Sequence, residues 1–312
     1  MIRQQAFGGN RKMLKGGLHC HTTRSDGKGT PEEVMRLHAE NGYDFLALTD
    51  HKKYNRVNFA PETNLTLICG MEINSVLERG EKTGRGRRHF HTVCLGPNDA
   101  SNGFEHDERF VCEDTANQYE FQRYLDAVHA RGNVTFYCHP EWSATPARYF
   151  EEMVGQFAME IWNSGCAIEN DMDTNAAYWD ELLGQGKRIW GVAVDDGHAM
   201  NQHCNGWVMV NAENNDRAIL AALCEGRFYS SCGPVIRDFY VNDEGYAVVD
   251  TEECAKIYLC SDRHSSRMKC GEAGAPITHA EYDMSTCDYK YIRAVAVDSQ
   301  GRRAWTNPIF LD

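Results

Sequence analysis

The sequence predicts an α/β protein in which a barrel of seven strands is followed by a small antiparallel β domain. Two patterns lead to this fold class. Up to about residue 200, strand-like apolar runs alternate with helical or loop segments, and after Gly226 the pattern changes to short strands with alternating apolar positions. Strands that alternate with helices favour a parallel sheet, and seven of them closed around a centre form a barrel of the (β/α) type.

The barrel strands are predicted from apolar runs rich in β-branched and aromatic residues. These runs cover residues 17–22, 45–50, 65–74, 89–95, 133–139, 158–162 and 188–195. The first helix has a clear start, because Thr30 suits the N-cap, Pro31 the first helical position, and Glu33 completes a capping box. Gly42 ends that helix. Further helices are predicted over residues 118–131, 175–184 and 215–225.

The remainder of the chain predicts a small antiparallel sandwich. Its strand-like runs read RFYSSCG, IRDFYVN, YAVVD, AKIYLCS, YIRAVAVDS and AWTNPIFL, and turn signals at residues 243–245 and 299–301 mark hairpins. We therefore expect the barrel to span residues 1–226 and an antiparallel β domain to span residues 227–312. Because His264 and His279 are the only ligand-type histidines of this domain, we expect a packing or oligomerisation role. A carbohydrate-binding or partner-binding module is the alternative.

Composition limits the classes of partner. The 312 residues include 32 basic and 45 acidic side chains, a net charge of −13, which opposes binding to long nucleic acid and to acidic membranes. No apolar run suits a signal peptide or a membrane span, so we expect a cytoplasmic protein.

The thirteen cysteines are odd in number and show no CxxC spacing. They are interpreted as reduced core residues, with a thiolate zinc site as the alternative.

Nine residues with nitrogen or oxygen ligand atoms lie in or just beyond the predicted strands. They are His19, His21, Asp26, His51, Glu72, His91, His139, Asp196 and His198. In a barrel of parallel strands, the carboxyl ends meet at one mouth, where active sites are found. Such a set at one mouth favours a cluster of divalent metal ions.

The spacing of the first two histidines supports this interpretation. His19 and His21 are separated by one residue on a strand, so both side chains point to the same face. Alternating histidines also occur where imidazoles fill a polar barrel interior, and the pair alone does not decide the question. Asp26 follows in an SDGKG turn, and LTDH and DGH elements come later in the chain.

In the order of these motifs, residues 17–198 resemble the PHP superfamily, named for polymerase and histidinol phosphatase domains. The motifs read HCHTTRSDG, LTDH, GMEI, HTVCLG, YCHPEW and DDGH. The C-terminal segment, with FYSSCGP near its start and AWTNPIF near its end, also resembles that of several PHP proteins. The resemblance implies a distorted (β/α)7 barrel with two or three divalent ions, usually manganese, zinc or iron.

The resemblance also implies which residues would bind each ion. One ion would take His19, His21, Glu72 and Asp196; a second Glu72, His91 and His139; a third Asp26, His51 and His198. Some members have His at the position of Asp26, and a carboxylate there favours harder ions. The family spacing selects His91 over His89. Asp195 would orient an imidazole, or it would be a hydrogen-bonded loop residue. Asp50 would orient a ligand, or it would cap a turn.

The expected chemistry is hydrolysis by solvent. Two ions bridged by Glu72 can hold a hydroxide between them, and Glu72 and Asp196 are the residues expected to hold that metal-bridging hydroxide in place. A GxSxG elbow, a Walker loop and a dinucleotide GxGxxG are absent from the sequence. Covalent serine hydrolysis, nucleotide switching and hydride transfer are therefore disfavoured.

Substrate contacts are predicted from position alone. Arg24, Lys52 and Asn163 follow strands at the expected mouth, and the loop over residues 79–88 carries five basic side chains. Arginines there suit a phosphate, although a solvated loop fits the same pattern. The long connection over residues 97–118 is either a lid or an ordered excursion.

Three functions remain open from the sequence. The first is a phosphoesterase for a small phosphomonoester or a short, nucleotide-like phosphodiester. The second is a metal-dependent hydrolase of carboxylic esters or amides, and the third is a non-catalytic module stabilised by metals. The expected partner is a small phosphate ester, with no long nucleic acid and no membrane. A homo-oligomer is also compatible with the sequence.

Overall fold

The computed structural model describes residues 4–8, 12–77, 88–173, 175–263 and 267–311. The strands within these residues are β1 (Gln4–Gln5), β2 (Leu14–Gly17), β3 (Phe45–Ala47), β4 (Thr66–Val76), β5 (His89–Gly96), β6 (Val134–Tyr137), β7 (Gln156–Asn163), β8 (Trp190–Val194), β9 (Trp207–Val210), β10 (Phe228–Ser231), β11 (Ile236–Val241), β12 (Tyr246–Cys254), β13 (Lys256–Ser261), β14 (Arg267–Lys269), β15 (Ile277–Asp283), β16 (Tyr291–Val297), β17 (Arg303–Thr306) and β18 (Ile309–Phe310). The α-helices are α1 (Pro31–Glu40), α2 (Gln118–His129), α3 (Ser164–Asn170), α4 (Asn175–Gly184) and α5 (Asp216–Cys224).

Strands β2 to β8 lie side by side in chain order and form the barrel wall. The pairs β2 with β3, β3 with β4, β6 with β7, and β7 with β8 are parallel. Beyond the two outer strands the backbones meet again. The Asp196 N–H donates to the His19 carbonyl at 2.9 Å, and the His21 N–H donates to the Gly197 carbonyl at 3.1 Å. These hydrogen bonds join the two ends of the row directly at the mouth.

The prediction that all seven strands are parallel is wrong at β5, which is antiparallel to both β4 and β6. Strands β4 and β5 pair continuously from Cys69 opposite Gly96 to Val76 opposite His89. A strand that pairs with the strand preceding it in the chain, without a crossover connection between them, must run antiparallel to it. The start of β5 therefore lies at the same edge as the carboxyl ends of its neighbours, and this brings His91 to the mouth.

Helix α1 begins as its sequence predicts. The Thr30 hydroxyl accepts a hydrogen bond from the Glu33 N–H at 3.3 Å, and the Glu33 carboxylate accepts one from the Thr30 N–H at 2.8 Å. This reciprocal capping box satisfies two backbone donors that the helix leaves open. Val34 and Met35 are buried against the barrel. The predicted helices over 118–131, 175–184 and 215–225 are also confirmed, with ends within two residues.

The C-terminal strands form a sandwich of two sheets. One sheet has the order β1, β11, β12, β15, and the other includes β14, β13, β16, β17 and β10. Buried side chains from both sheets, including Phe239, Val249, Ile257 and Ile292, share one apolar core. Both predicted hairpin turns are confirmed. Strand β15 was not predicted, because its residues ITHAEYD carry few apolar side chains.

Two features connect the sandwich with the barrel. Strands β9 and β10 continue the hydrogen-bonded row from β2 to β17. The buried Arg293 of β16 donates to Asp180 of α4 through Nε at 2.8 Å and Nη2 at 2.5 Å. The N-terminal strand β1 pairs with β11 of the sandwich. The domain boundary between residues 226 and 227 stays a prediction.

All thirteen cysteines are free thiols, and Cys69, Cys94 and Cys138 are buried as expected for core residues. Within the described part of the chain, no helix is long and apolar enough to cross a membrane.

Candidate metal centre

The nine predicted ligand residues converge at the barrel mouth. Seven of them line a pocket of about 270 Å³ together with Trp142, Gly165, Cys166, Glu169 and Asn170. His19 and His21 are buried beneath the pocket floor. The other ligands come from the turn after β2, the carboxyl ends of β3, β6 and β8, the middle of β4 and the start of β5. This is why residues far apart in the sequence meet here.

Four ligand atoms form the innermost group: His19 Nε2, His21 Nε2, Glu72 Oε2 and Asp196 Oδ1. His19 Nε2 lies 3.2 Å from His21 Nε2, 3.5 Å from Glu72 Oε2 and 3.3 Å from Asp196 Oδ1. His21 Nε2 lies 3.4 Å from the same Glu72 oxygen and 3.0 Å from the same Asp196 oxygen. Four ligands placed tetrahedrally at about 2.1 Å from one ion lie about 3.4 Å apart. The spacing of this group therefore fits a single divalent ion.

Hydrogen bonding fixes the ring of His19 in the form that a metal needs. Its Nδ1 lies 2.7 Å from Glu160 Oε1, and because a carboxylate only accepts, Nδ1 carries the hydrogen. The lone pair is then on Nε2, which points at the innermost group, as in a carboxylate–histidine–metal arrangement. Glu72 Oε2 is buried and has no hydrogen-bond partner among the described residues. A cation would satisfy both atoms.

The second group shares Glu72 with the first. Its other oxygen, Oε1, lies 2.8 Å from His91 Nδ1 and 3.5 Å from His139 Nε2. His139 Nε2 is also 3.7 Å from Asp196 Oδ2. The two oxygens of Glu72 thus face different sets of imidazoles, so this carboxylate could be shared between two ions.

The third group lies nearest the surface, around the Asp26 carboxylate. His51 Nε2 and His198 Nε2 each lie 3.5 Å from an Asp26 oxygen, and His21 Nδ1 lies 3.6 Å away. Asp26 is 53% exposed. Burial opposes its ionisation, but His198, His21 and His51 lower the pKa of Asp26 well below its usual range. His51 also approaches Glu72 Oε2 through Nδ1 at 2.9 Å, so the third group is not separate from the first.

The field at the mouth favours positive charge. Burial alone would lower the pKa of His19, but the Asp196 and Glu72 carboxylates raise that pKa well above its usual range. Burial alone would raise the pKa of Glu72, yet His51, His91 and His19 hold it well below its usual range. Burial lowers the pKa of His91 to about 4, which keeps its ring neutral and able to ligate. Ionised carboxylates beside imidazole lone pairs suit divalent ions.

Two candidate ligands have left-handed backbone conformations, with φ of 24° at His139 and 49° at Asp196. Such conformations are strained for residues other than glycine and cluster at functional sites. A buried network holds both residues in place. Glu160 Oε2 accepts from the His139 N–H at 2.9 Å and from Asn163 Nδ2 at 2.9 Å, while the same Asn163 nitrogen donates to Asp196 Oδ2 at 3.0 Å.

No role was predicted for Glu160 from the sequence. The signal was available, because Glu160 is the one charged residue in the apolar run of β7, QFAMEIWN. A carboxylate on an apolar barrel strand needs a buried partner, and here it contacts two histidines.

The two additional aspartates anchor loops. Asp50 accepts from the Thr22 N–H at 2.9 Å, the Thr22 hydroxyl at 2.8 Å and the Ser25 hydroxyl at 2.7 Å. These bonds hold the turn that presents His21 and Asp26. Asp195 accepts three backbone N–H groups from residues 204–206. The loop role describes these contacts of Asp50. Asp195 has both of its proposed roles, because its Oδ2 also lies 3.4 Å from Nε2 of the His38 imidazole.

The predicted substrate residues lie around the pocket and not among its lining residues. Arg24 donates to Asn55 Oδ1 at 2.9 Å and is paired with Asp107. The Lys52 N–H donates to the Glu72 carbonyl at 2.8 Å, which positions the neighbouring His51. Asn163 is buried and orients Asp196, as described above. Their contacts with a substrate stay a prediction. Residues 79–87 of the predicted basic loop lie outside the described residues.

The connection over residues 97–118 is packed against the barrel. Phe104 is buried and stacks on Tyr54 at a centroid distance of 4.7 Å. The Tyr54 N–H donates to the Glu108 carbonyl at 3.0 Å, and the Phe110 N–H donates to the Lys52 carbonyl at 3.1 Å. These contacts favour the ordered excursion over the lid.

Comparison with known proteins agrees with the fold and the geometry. The PHP domain family model matches residues 17–181, which is more than half of the chain, and the chain belongs to this family. An 82-residue segment is 37% identical to a 5'-3' exoribonuclease of Haemophilus influenzae and covers 25% of this chain and 27% of that protein. A 44-residue segment is 41% identical to the DNA polymerase/3'-5' exonuclease PolX of Bacillus subtilis and covers 14% and 8%, respectively. These segments amount to less than a third of the length of either relative.

Two solved structures align with this chain at low sequence identity. A two-domain protein from Bacteroides vulgatus, which contains a predicted PHP-like metal-dependent phosphoesterase, is 14% identical with a TM-score of 0.49, over 95% of each chain. An amidohydrolase from Chromobacterium violaceum is 15% identical with a TM-score of 0.39, over 68% of this chain and 96% of that one.

Proposed function

We propose that this protein is a metal-dependent phosphoesterase that hydrolyses a small phosphomonoester or a short, nucleotide-like phosphodiester. The observation that carries the proposal is the position of Glu72, whose two oxygens face two separate sets of imidazoles. His19, His21, Glu72 and Asp196 would hold one ion, and Glu72, His91 and His139 a second. When bound, such ions supply Lewis acidity and activate water for attack on phosphorus.

The residues of the chain do the positioning. Glu160 keeps the Nε2 lone pair of His19 directed inward, and Asn163 holds Asp196 at 3.0 Å. Asp26, His51 and His198 form the more open third group, where an additional ion would neutralise a substrate phosphate. The small pocket of about 270 Å³ suits a phosphoryl group with a short leaving group. A long duplex would also meet the unfavourable net charge of −13.

The position of Trp142 favours a substrate whose leaving group contains a planar ring. Its indole is 39% exposed, lines the pocket, and lies 5.1 Å from the ring of His139 and 5.6 Å from that of His91. An exposed indole beside a hydrolytic centre offers a stacking surface for a nucleobase or another aromatic ring. The segment similar to a 5'-3' exoribonuclease agrees with a nucleotide-like substrate.

One observation favours a second candidate, the hydrolysis of a carboxylic ester or amide. No lysine or arginine is among the described residues that line the pocket, while Trp142 and Cys166 form apolar wall and Glu169 adds a carboxylate. A dianionic monoester is usually bound by arginine or lysine. Within the phosphoesterase proposal, the same observation favours a singly charged diester over a monoester.

Turnover on matched aryl esters separates these candidates. The protein is loaded with Mn²⁺ and assayed with an aryl phosphate monoester, the corresponding phosphodiester and the corresponding carboxylic ester. We expect the highest kcat/KM for a phosphate ester, and loss of that activity in Glu72→Ala, because the shared carboxylate is gone. The exposed Glu181→Gln variant is the control. Preference for the carboxylic ester, or full turnover by folded Glu72→Ala, would contradict the proposal.

A further inference from the structure

A second cluster of ligand-type side chains lies behind the loop that presents Asp196 and His198. It consists of His38 on α1, Asp195 after β8, and His203 in the following loop. One ligand atom from each lies within 4.8 Å of the other two. All three side chains are buried, and the metal centre does not use them.

The ring of His38 has its free lone pair directed at a carboxylate. Nδ1 lies 2.8 Å from the Val34 carbonyl, which can only accept, so Nδ1 carries the hydrogen. In a neutral imidazole the lone pair is then on Nε2, and Nε2 lies 3.4 Å from Asp195 Oδ2. Two lone pairs face each other across this gap. A positive charge between them, or a water that donates to both, would satisfy the two atoms.

Asp195 has one acceptor position left for such a charge. Its Oδ1 accepts from the N–H groups of Asn205 at 2.9 Å and Gly206 at 2.8 Å, and its Oδ2 accepts from that of Cys204 at 2.7 Å. A carboxylate oxygen has two lone pairs. One lone pair of Oδ2 therefore remains, on the oxygen that His38 approaches.

His203 supplies the independent observation. It is only 4% exposed, yet neither ring nitrogen has a hydrogen-bond partner among the described residues. Buried polar atoms are normally satisfied, and each exception calls for an unplaced ion or water. The ring of His203 lies 5.4 Å from that of His38 in an edge-to-face arrangement. One of its nitrogens lies within 4.8 Å of the ligand atoms of His38 and Asp195.

We propose that His38, Asp195 and His203 bind a divalent cation of the zinc class, separate from the ions of the metal centre. Two imidazoles and one carboxylate are a common zinc ligand set. The 3.4 Å between His38 Nε2 and Asp195 Oδ2 falls within the 3.0–3.5 Å between ligand atoms of the innermost group. The ion ties α1 to the loop between β8 and β9 and so holds the backbone of Asp196 and His198. This proposal does not depend on the reaction that the centre catalyses.

Metal content tests the proposal. The protein and its His38→Gln and His203→Gln variants are loaded with Zn²⁺, freed of excess metal, and measured by inductively coupled plasma mass spectrometry. We expect each variant, and the double variant, to hold one zinc ion fewer per chain than the wild type, because three ligands share one ion. His279→Gln, on β15 of the sandwich, is the matched control and should keep the full content. Equal zinc content in all of these proteins would overturn the proposal.

Anomalous diffraction gives a test that needs no variant. In zinc-loaded wild-type crystals, measured on both sides of the zinc absorption edge, we expect a peak about 2.0–2.2 Å from a nitrogen of His38, a nitrogen of His203 and Asp195 Oδ2. Absence of a peak between these three side chains would leave the gap to a water molecule and overturn the metal site.

Discussion

The substitution Glu160→Gln tests whether this buried carboxylate prepares His19 for metal binding. Glu160 accepts three hydrogen bonds: one at Oε1 from His19 Nδ1 at 2.7 Å, and two at Oε2 from the His139 N–H and Asn163 Nδ2, both at 2.9 Å. Glutamine has the same shape but only one accepting oxygen. The variant cannot satisfy all three donors.

Either orientation of the new amide damages the site. If its oxygen faces His139 and Asn163, its NH₂ group faces His19 Nδ1 and forces the ring hydrogen onto Nε2, where it blocks the metal. If its oxygen faces His19, the NH₂ group opposes two buried donors. Leaving a buried partner unsatisfied costs about 1–3 kcal/mol. Since about 1.4 kcal/mol is a factor of ten, affinity for the first ion should fall about 10-fold to 100-fold.

Isothermal titration of the metal-free protein with Mn²⁺ or Zn²⁺ measures that affinity. Activity as a function of metal concentration gives a second readout, and kcat should recover in large part at saturating metal, because Glu160 does not contact the substrate pocket. Glu181→Gln, an exposed residue of α4, controls for the loss of one negative charge. Unchanged metal affinity in folded Glu160→Gln would refute the reasoning.

Three further predictions concern the surroundings of the centre. In Gly197→Ala the new Cβ would lie 2.5 Å from His203 Nδ1. We therefore expect the free energy of unfolding, measured with urea, to fall by about 1–3 kcal/mol, and to fall less when His203→Ala is added. Trp142→Ala should raise KM for aryl phosphates about tenfold, through lost stacking, and leave KM for alkyl phosphates nearly unchanged, while Trp142→Phe keeps most of the aryl preference. In the metal-free protein, burial lowers the pKa of His203 to about 4, so the unfolded chain binds the proton more tightly. The contribution of His203 to the free energy of unfolding is fully present above its unfolded pKa of about 6.5, and it falls by about 3 kcal/mol as the pH is lowered toward 4. The difference between the free energies of unfolding at pH 7 and pH 5, measured with urea, should be smaller in His203→Gln than in the wild type. An equal difference in the two proteins would contradict this assignment.

The barrel, and the convergence of the nine ligand-type residues at its mouth, could be predicted from the sequence, because both depend on local order along the chain. A histidine or aspartate that follows an apolar strand reaches the mouth whatever the neighbouring strands do. The direction of β5 could not be predicted this way, since strand propensity is the same for parallel and antiparallel pairing. His91 was therefore assigned from the family spacing, and the structure supplies the physical reason for its position.

Residues that act through tertiary contacts were not accessible from the sequence. Trp142 follows His139 by three positions in a loop, and nothing local shows that its ring lies against His91 as well. The pairing of Arg293 with Asp180 joins residues more than a hundred positions apart. Arg24 illustrates the reverse case. Its position beside the first motif favoured a substrate contact, but Asn55 and Asp107, which hold its guanidinium, become neighbours only in the fold.

The geometry of the centre suggests where this fold gives up stability for function. His139 and Asp196 are held in left-handed conformations, and Glu72 Oε2 is buried without a hydrogen bond from any described residue. Each of these features is unfavourable in the metal-free chain. All three features involve atoms or residues that would contact an ion. Metal binding therefore offsets these unfavourable free energies, which better packing of the apolar core could not offset. Such a site should bind metal in a strongly stabilising way, because binding relieves unsatisfied groups in the folded state that the unfolded chain does not have.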